Sequence, residues 1–240
     1  MSVAKNETYL YSRFKMSVYE LGYFPGPKAG ESVNYDYALT DLEGNEVSLT
    51  DYKGKWLVIE SGSRTCPMYV KNVDKFSKLK DKYNDVEWLM VYVREAHPGE
   101  KAQQAKTIEE KIAYAKQNKE EYNEKRKIVV DSVDGKWHHE WGLLPNTVYV
   151  INPNGQVIYR ADWSFAKNVD RVLQNRDKID KNEHIAIMGA APWITIPVTL
   201  KGGWLALFDI LIIFPKVYYE HFKLDIITWW NNRKAQRQSV

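Results

Sequence analysis

Trp56-Leu-Val-Ile-Glu60 runs into Ser61-Gly-Ser-Arg-Thr-Cys-Pro-Met68, and Lys71 to Tyr83 follows directly. The first run is compact, apolar and preceded by Asp51-Tyr-Lys-Gly-Lys55, so it reads as a buried central strand bounded by a turn. After the cysteine, Val73, Phe76, Leu79 and Tyr83 recur at helical spacing. A second apolar run, Val86-Glu-Trp-Leu-Met-Val-Tyr-Val93, comes next. Two strands joined through a helix of this length make a βαβ unit, and hence a parallel pair.

Working outward, Tyr35-Asp-Tyr-Ala-Leu39 and Glu46-Val-Ser-Leu49 flank the turn Asp41-Leu-Glu-Gly-Asn45, which predicts an N-terminal β-hairpin. Downstream, residues 101–126 are helical in composition and Ile128-Val-Val130 is a short strand. Thr147 to Ile151 and Gln156 to Tyr159 enclose Asn152-Pro-Asn-Gly155, a second hairpin signal, before helix-like residues 166–182. This order predicts an α/β, thioredoxin-like fold, with a central mixed sheet flanked by helices. Residues 1–30 form an N-terminal arm, with weak helical spacing at Tyr9, Leu10, Phe14, Val18 and Leu21, ending in the turn-rich Pro25-Gly-Pro-Lys-Ala-Gly30. Residues 31–183 form the redoxin domain, and 184–240 an aromatic-rich helical C-terminal extension.

That extension is divided by Gly189, Pro192 and Pro197. Neither Ile185–Leu200 nor Gly202–Phe214 supplies the roughly 20 clean apolar residues that span a bilayer. Ile226-Ile-Thr-Trp-Trp230, followed by Arg233, Lys234 and Arg237, pairs aromatics with basic charge, as segments lying on a membrane surface do. The alternative is a helical pair that closes a groove or a homodimer interface. The whole chain has 240 residues, with 34 basic and 31 acidic side chains, so no concentrated basic face argues for nucleic acid as partner. One cysteine excludes an internal disulfide and a multi-thiolate metal site. The start lacks an uninterrupted apolar stretch of secretory type, and a reducing cytoplasmic setting is expected. His138 and His139 are adjacent but have no further ligands at metal-binding spacing, so neither a metal nor a bound cofactor is expected.

Chemistry centres on Cys66. A thiol at a helix N-terminus meets exposed N–H groups and the helix dipole, which lower its pKa and make it a nucleophile. Pro67 suits the first helical position, where a missing N–H costs nothing. Otherwise a lone cysteine is a buried, inert small side chain. Ser63 and Thr65 offer hydroxyls to a developing charge or, equally, cap the helix, while Arg64 would stabilise a thiolate or meet an anionic substrate.

Gly62-Ser-Arg-Thr-Cys-Pro67 resembles the active-site run of the iodothyronine deiodinase family, redoxins of the thioredoxin-fold superfamily in which selenocysteine holds the position of Cys66. The resemblance continues through Val91-Tyr-Val-Arg-Glu-Ala-His-Pro98, Val130-Asp-Ser132 and Pro145-Asn-Thr-Val-Tyr-Val-Ile151, covering roughly residues 35–165. It implies that Cys66 attacks a halogenated or similarly soft small-molecule substrate, with Glu95 and His97 as acid–base partners. His97 would titrate near neutrality and pass a proton to the leaving group. Two apart on an extended segment, Glu95 and His97 would point the same way. Pro145 takes the place where thioredoxin-like folds put a cis-proline beside the thiol. Where the family usually carries a further cysteine, this chain has Arg64, so turnover calls on an external thiol reductant, glutathione or a thioredoxin-like protein. Asn146 and Thr147 stand where the family commonly has a hormone-binding basic residue.

Two other functions fit the same residues. A one-cysteine, peroxiredoxin-like thiol peroxidase would oxidise Cys66 to a sulfenic acid; that pattern asks for Ser or Thr at Ser63, which is met, and Pro at Ile59, which is not. A redoxin-fold binding protein without enzyme activity would use the C-terminal segment as its working surface.

Overall fold

The computed structural model describes residues 9–15, 24–142, 144–183 and 189–238. Seven strands form one mixed sheet: β1 (Ala38–Asp41), β2 (Glu46–Ser48), β3 (Trp56–Gly62), β4 (Val86–Tyr92), β5 (Lys127–Val130), β6 (Val148–Ile151) and β7 (Val157–Ala161). Their order is β2-β1-β5-β4-β3-β6-β7. β3, β4 and β5 run parallel, and the β1–β2 and β6–β7 hairpins join antiparallel at either side. This is the thioredoxin-like arrangement that the element order predicts.

The central strands are apolar throughout because both faces are covered. Leu57, Ile59, Leu89 and Val91 pack on one face with Trp137 and Trp141, whose rings stack 4.1 Å apart. Val58 and Trp88 pack on the other face against Phe76, Val169 and Val172.

The helix expected from Lys71 to Tyr83 is α2 (Val73–Lys82), and a separate short helix, α1 (Pro67–Val70), precedes it. The polar stretch 101–126 becomes helical only over α3 (Ile108–Tyr122), capped at its start by Thr107 Oγ1 and at its end by Asn123 at φ 52°. α4 (Lys136–Trp141) carries His138 and His139, and α5 (Ala166–Gln174) packs beside β7. The helical spacing through Val18 and Leu21 lies outside the described residues.

The extension forms α6 (Pro192–Thr199) and α7 (Trp204–Gln238). α7 continues through Pro215, which removes one helical donor near the exposed Leu211 and leaves the helix intact around it. Glu100 holds the start of α7: its Oε1 accepts from Trp204 N at 2.5 Å and its Oε2 from Leu205 N at 3.2 Å. Gly202 is forced by close approach, since a Cβ there would lie 2.2 Å from the His97 carbonyl oxygen. Among the described residues, no helix is long and apolar enough to cross a membrane.

Candidate active site

The C-terminal ends of β3 and β4 and the start of β6 bring three segments to one sheet edge, where open α/β sheets place their sites. Ser61 ties two of them together. Its N–H donates to Thr147 O at 2.9 Å, and its hydroxyl lies 2.6 Å from Thr147 Oγ1 and 3.2 Å from Leu144 O. Val93 N donates to Gly62 O at 3.0 Å and links the third. A side chain at Gly62 would collide with the Tyr69 ring, so the motif glycine makes room for α1.

Cys66 is the residue that caps α1, with Pro67 at the first helical position as expected. Its setting differs from the expectation. The thiol is buried, and burial pushes its pKa up to about 12, against the lowering from the Met68 and Tyr69 N–H groups. A four-residue helix offers its donors but not water, and loss of water dominates.

Cys66 lines a cavity of about 230 Å³ together with Pro67, His97 and Pro145. Its walls include Trp163 and the inner face of α7, through Ile210, Ile213 and His221. Asp209 on α7 holds the N-terminal arm by two bonds from Arg13, one of 2.9 Å from Nε, so arm and helix meet over the thiol. Pro145 reaches the expected place beside Cys66, but no peptide bond among the described residues is cis.

His97 shares the cavity, with its ring edge-on to Phe14 at 4.9 Å. Burial lowers its pKa to about 4, so at neutral pH it is an uncharged imidazole, not the near-neutral titrating group that the sequence predicts. Glu95 does not point with it. β4 ends at Tyr92, and the chain bends, which destroys the alternation of an extended strand. The Glu95 carboxylate instead accepts from Thr65 N at 3.1 Å, from Thr65 Oγ1 at 2.6 Å and from the Tyr92 hydroxyl, outside the cavity. Burial raises its pKa in spite of these bonds.

Thr65 is the hinge of this cluster, because its hydroxyl also accepts from His97 N at 3.1 Å. Ser63 Oγ accepts from Ala96 N at 3.1 Å. Both hydroxyls therefore fix the loop after β4 and do not cap α1. Arg64 turns from the thiol to α3, 2.5 Å from Gln117 Oε1 and 3.7 Å from Glu121. Behind α1, a buried Arg126 joins Glu60 at 2.5 Å and Glu124 at 2.6 Å, and Tyr69 donates to Glu124 at 2.9 Å. His138 is buried against Tyr9, and among the described residues no group of three or more metal-type side chains forms.

Sequence reasoning missed Trp163, Arg94 and His221 as cavity walls. For His221 there was a signal: Ile210, Ile213, Val217 and His221 follow one helical stripe.

The family model for iodothyronine deiodinase matches residues 11–178. The chain belongs to that family. It is similar to the type I iodothyronine deiodinase of Xenopus laevis, 26% identical over 153 residues, 58% of this chain and 60% of that protein. Similarity to the type II iodothyronine deiodinase of Bos taurus is 24% over 169 residues, 63% of each chain. This deiodinase-family chain thus spans less than two thirds of the length of these curated relatives. Among solved structures, a secreted disulfide oxidoreductase of Mycobacterium tuberculosis aligns at a TM-score of 0.48 and 12% identity, over 59% of this chain and 96% of that one.

Proposed function

We propose that the chain is a thiol-dependent reductase that removes a soft halogen from an apolar aromatic small molecule, with Cys66 as the attacking group. The observation that carries this reading is the half-open, largely apolar cavity shared by Cys66 and His97, in a family named for deiodination. As substrate fills the cavity, the thiol proton passes to the neutral His97. The thiolate attacks the halogen: a sulfur–halogen bond forms, the carbon–halogen bond breaks, and its electron pair stays on carbon. The imidazolium returns the proton to that carbon.

An external thiol then attacks Cys66 sulfur and expels halide, giving a mixed disulfide, and a second thiol frees Cys66 as the external pair becomes a disulfide. Two thiols are oxidised for each carbon–halogen bond reduced. Glu95 acts as a positioning residue through Thr65, which holds the His97 backbone. With Cys66 at about 12 and His97 at about 4, proton transfer between them in this arrangement is uphill by on the order of 11 kcal/mol before the ions attract each other. The closed form is therefore a resting form.

Iodide release from an iodinated phenol, with dithiothreitol as reductant, tests the reading. Cys66→Ser should reduce release to the uncatalysed background. Undiminished release by that variant would sink the proposal, and peroxide consumption by the unmodified protein without halide release would replace it with the peroxidase reading.

A further inference from the structure

The inner side of α7 is spent on the cavity, yet its outer side is apolar too. Trp204, Phe208, Leu211, Ile212, Tyr219 and Phe222 are each more than half exposed, and α6 adds Trp193 at 78%. Apolar surface on that scale, continuous along a long helix, marks a docking face and not ordinary surface scatter.

Charge tells which partner fits. The formal net charge of +3 is carried entirely by residues 210–240, where Lys216, Lys223, Arg233, Lys234 and Arg237 stand against Glu220 and Asp225, and the rest of the chain balances. Lys223 lies 3.9 Å from Glu220 on the exposed surface. Large aromatics with basic residues are the composition of helices that lie in the headgroup region of anionic membranes. A second copy of this chain would bring the same excess positive charge to the interface, against its mirror image.

The exposed face also runs into the cavity. Phe214, Tyr218 and Phe222 line the space above Cys66 and are about half or more exposed themselves. A bilayer against α7 keeps an apolar phase at that wall, whereas water leaves it uncovered.

We propose that the outer face of α7 docks on an anionic lipid surface, with the helix parallel to the membrane plane and its aromatics at headgroup depth. This assignment is independent of the reaction at Cys66. The full chain is mixed with phosphatidylcholine vesicles, with and without phosphatidylglycerol, and vesicle flotation is measured together with tryptophan emission. The protein should float with the anionic vesicles, with blue-shifted emission, and bind the neutral ones about tenfold or more weakly. Phe208→Asp combined with Ile212→Asp should cut anionic-vesicle binding by about tenfold or more while the far-ultraviolet circular dichroism stays unchanged, since both side chains face solvent. Failure to float with either vesicle, or binding unmoved by the double substitution, would overturn the proposal. Concentration-dependent dimers that the double substitution dissolves, without vesicle binding, would assign the face to a second copy instead.

Discussion

Gly202→Ala should turn the resting thiol into a reactive one. A Cβ at this position meets the His97 carbonyl oxygen at 2.2 Å and Ala206 Cβ at 2.8 Å, and the first of these is backbone. Overpacking of this kind costs about 1–3 kcal/mol. The clash with the His97 carbonyl falls on the closed arrangement alone, because it vanishes when α7 moves off the loop that carries His97, whereas the contact with Ala206 lies at the start of α7 itself and is common to both arrangements. The opening equilibrium then rises about 5- to 150-fold. Alkylation of Cys66 by iodoacetamide reads that opening. With the thiol at about 12 in the closed state, the thiolate at pH 7.5 is only about 3 parts in 100,000 of the total, against about one part in ten for a free cysteine. The unmodified protein should therefore label about a thousandfold or more slower than glutathione, and its rate should climb tenfold per pH unit without a plateau below pH 9. Gly202→Ala should label about 5- to 150-fold faster than the unmodified protein at the same pH, with unchanged circular dichroism. The reasoning fails if the unmodified protein labels like a free thiol with an apparent pKa at or below 8.5, or if a folded Gly202→Ala variant labels no faster.

Other consequences follow from the same burial. Cys66 has a folded-state pKa above its free value, so its contribution to stability is complete below about pH 8.5 and is lost as pH rises toward 12, by up to about 5 kcal/mol; urea denaturation across that range should show the loss, and Cys66→Ser should lose less by that amount, with the loss from the buried tyrosines Tyr9, Tyr69 and Tyr92 remaining. His97 is the opposite case: a base held at about 4 favours the fold above pH 6.5, and that contribution, at most about 3 kcal/mol, disappears as pH falls through 4, so His97→Asn should flatten the acid limb. Arg126→Met leaves Glu60 and Glu124 buried without their cation and should cost about 3–5 kcal/mol in thermal or urea unfolding. Thr65→Val removes one hydroxyl that serves both Glu95 and His97 N, and should cost about 1–3 kcal/mol by urea denaturation.

The fold was legible because its information is local. β3 and β4 are apolar runs between turn formers, and Pro67 marks the helix start that places Cys66 at the sheet edge. The two hairpins announce themselves through Asp41–Asn45 and Asn152–Gly155. What stayed illegible depends on distant chain. The elevated thiol and the neutral His97 result from a roof supplied by Ile210, Ile213 and His221, far along the sequence, and no pattern around Cys66 announces it. The parting of Glu95 from His97 has another cause: β4 stops at Tyr92, one bend earlier than alternation assumes, so two carboxylate bonds to Thr65 capture Glu95 first. The helical character of the extension could be read from composition, whereas the closure of α7 over the thiol needed the tertiary structure.

The roof over Cys66 also has a history in time. A ribosome completes β3, β4 and the loop at Pro145 well before it makes the inner face of α7, which begins about 140 residues after the cysteine. At about 5–20 residues per second, that leaves an interval of roughly 10–30 s. During it the nascent chain presents its thiol at ordinary reactivity to every electrophile and disulfide in its surroundings. An adduct acquired then would fill the space that Ile210, Ile213 and His221 take when the helix settles. The order of synthesis thus makes the newborn chain, and not the finished molecule, the form most open to covalent damage.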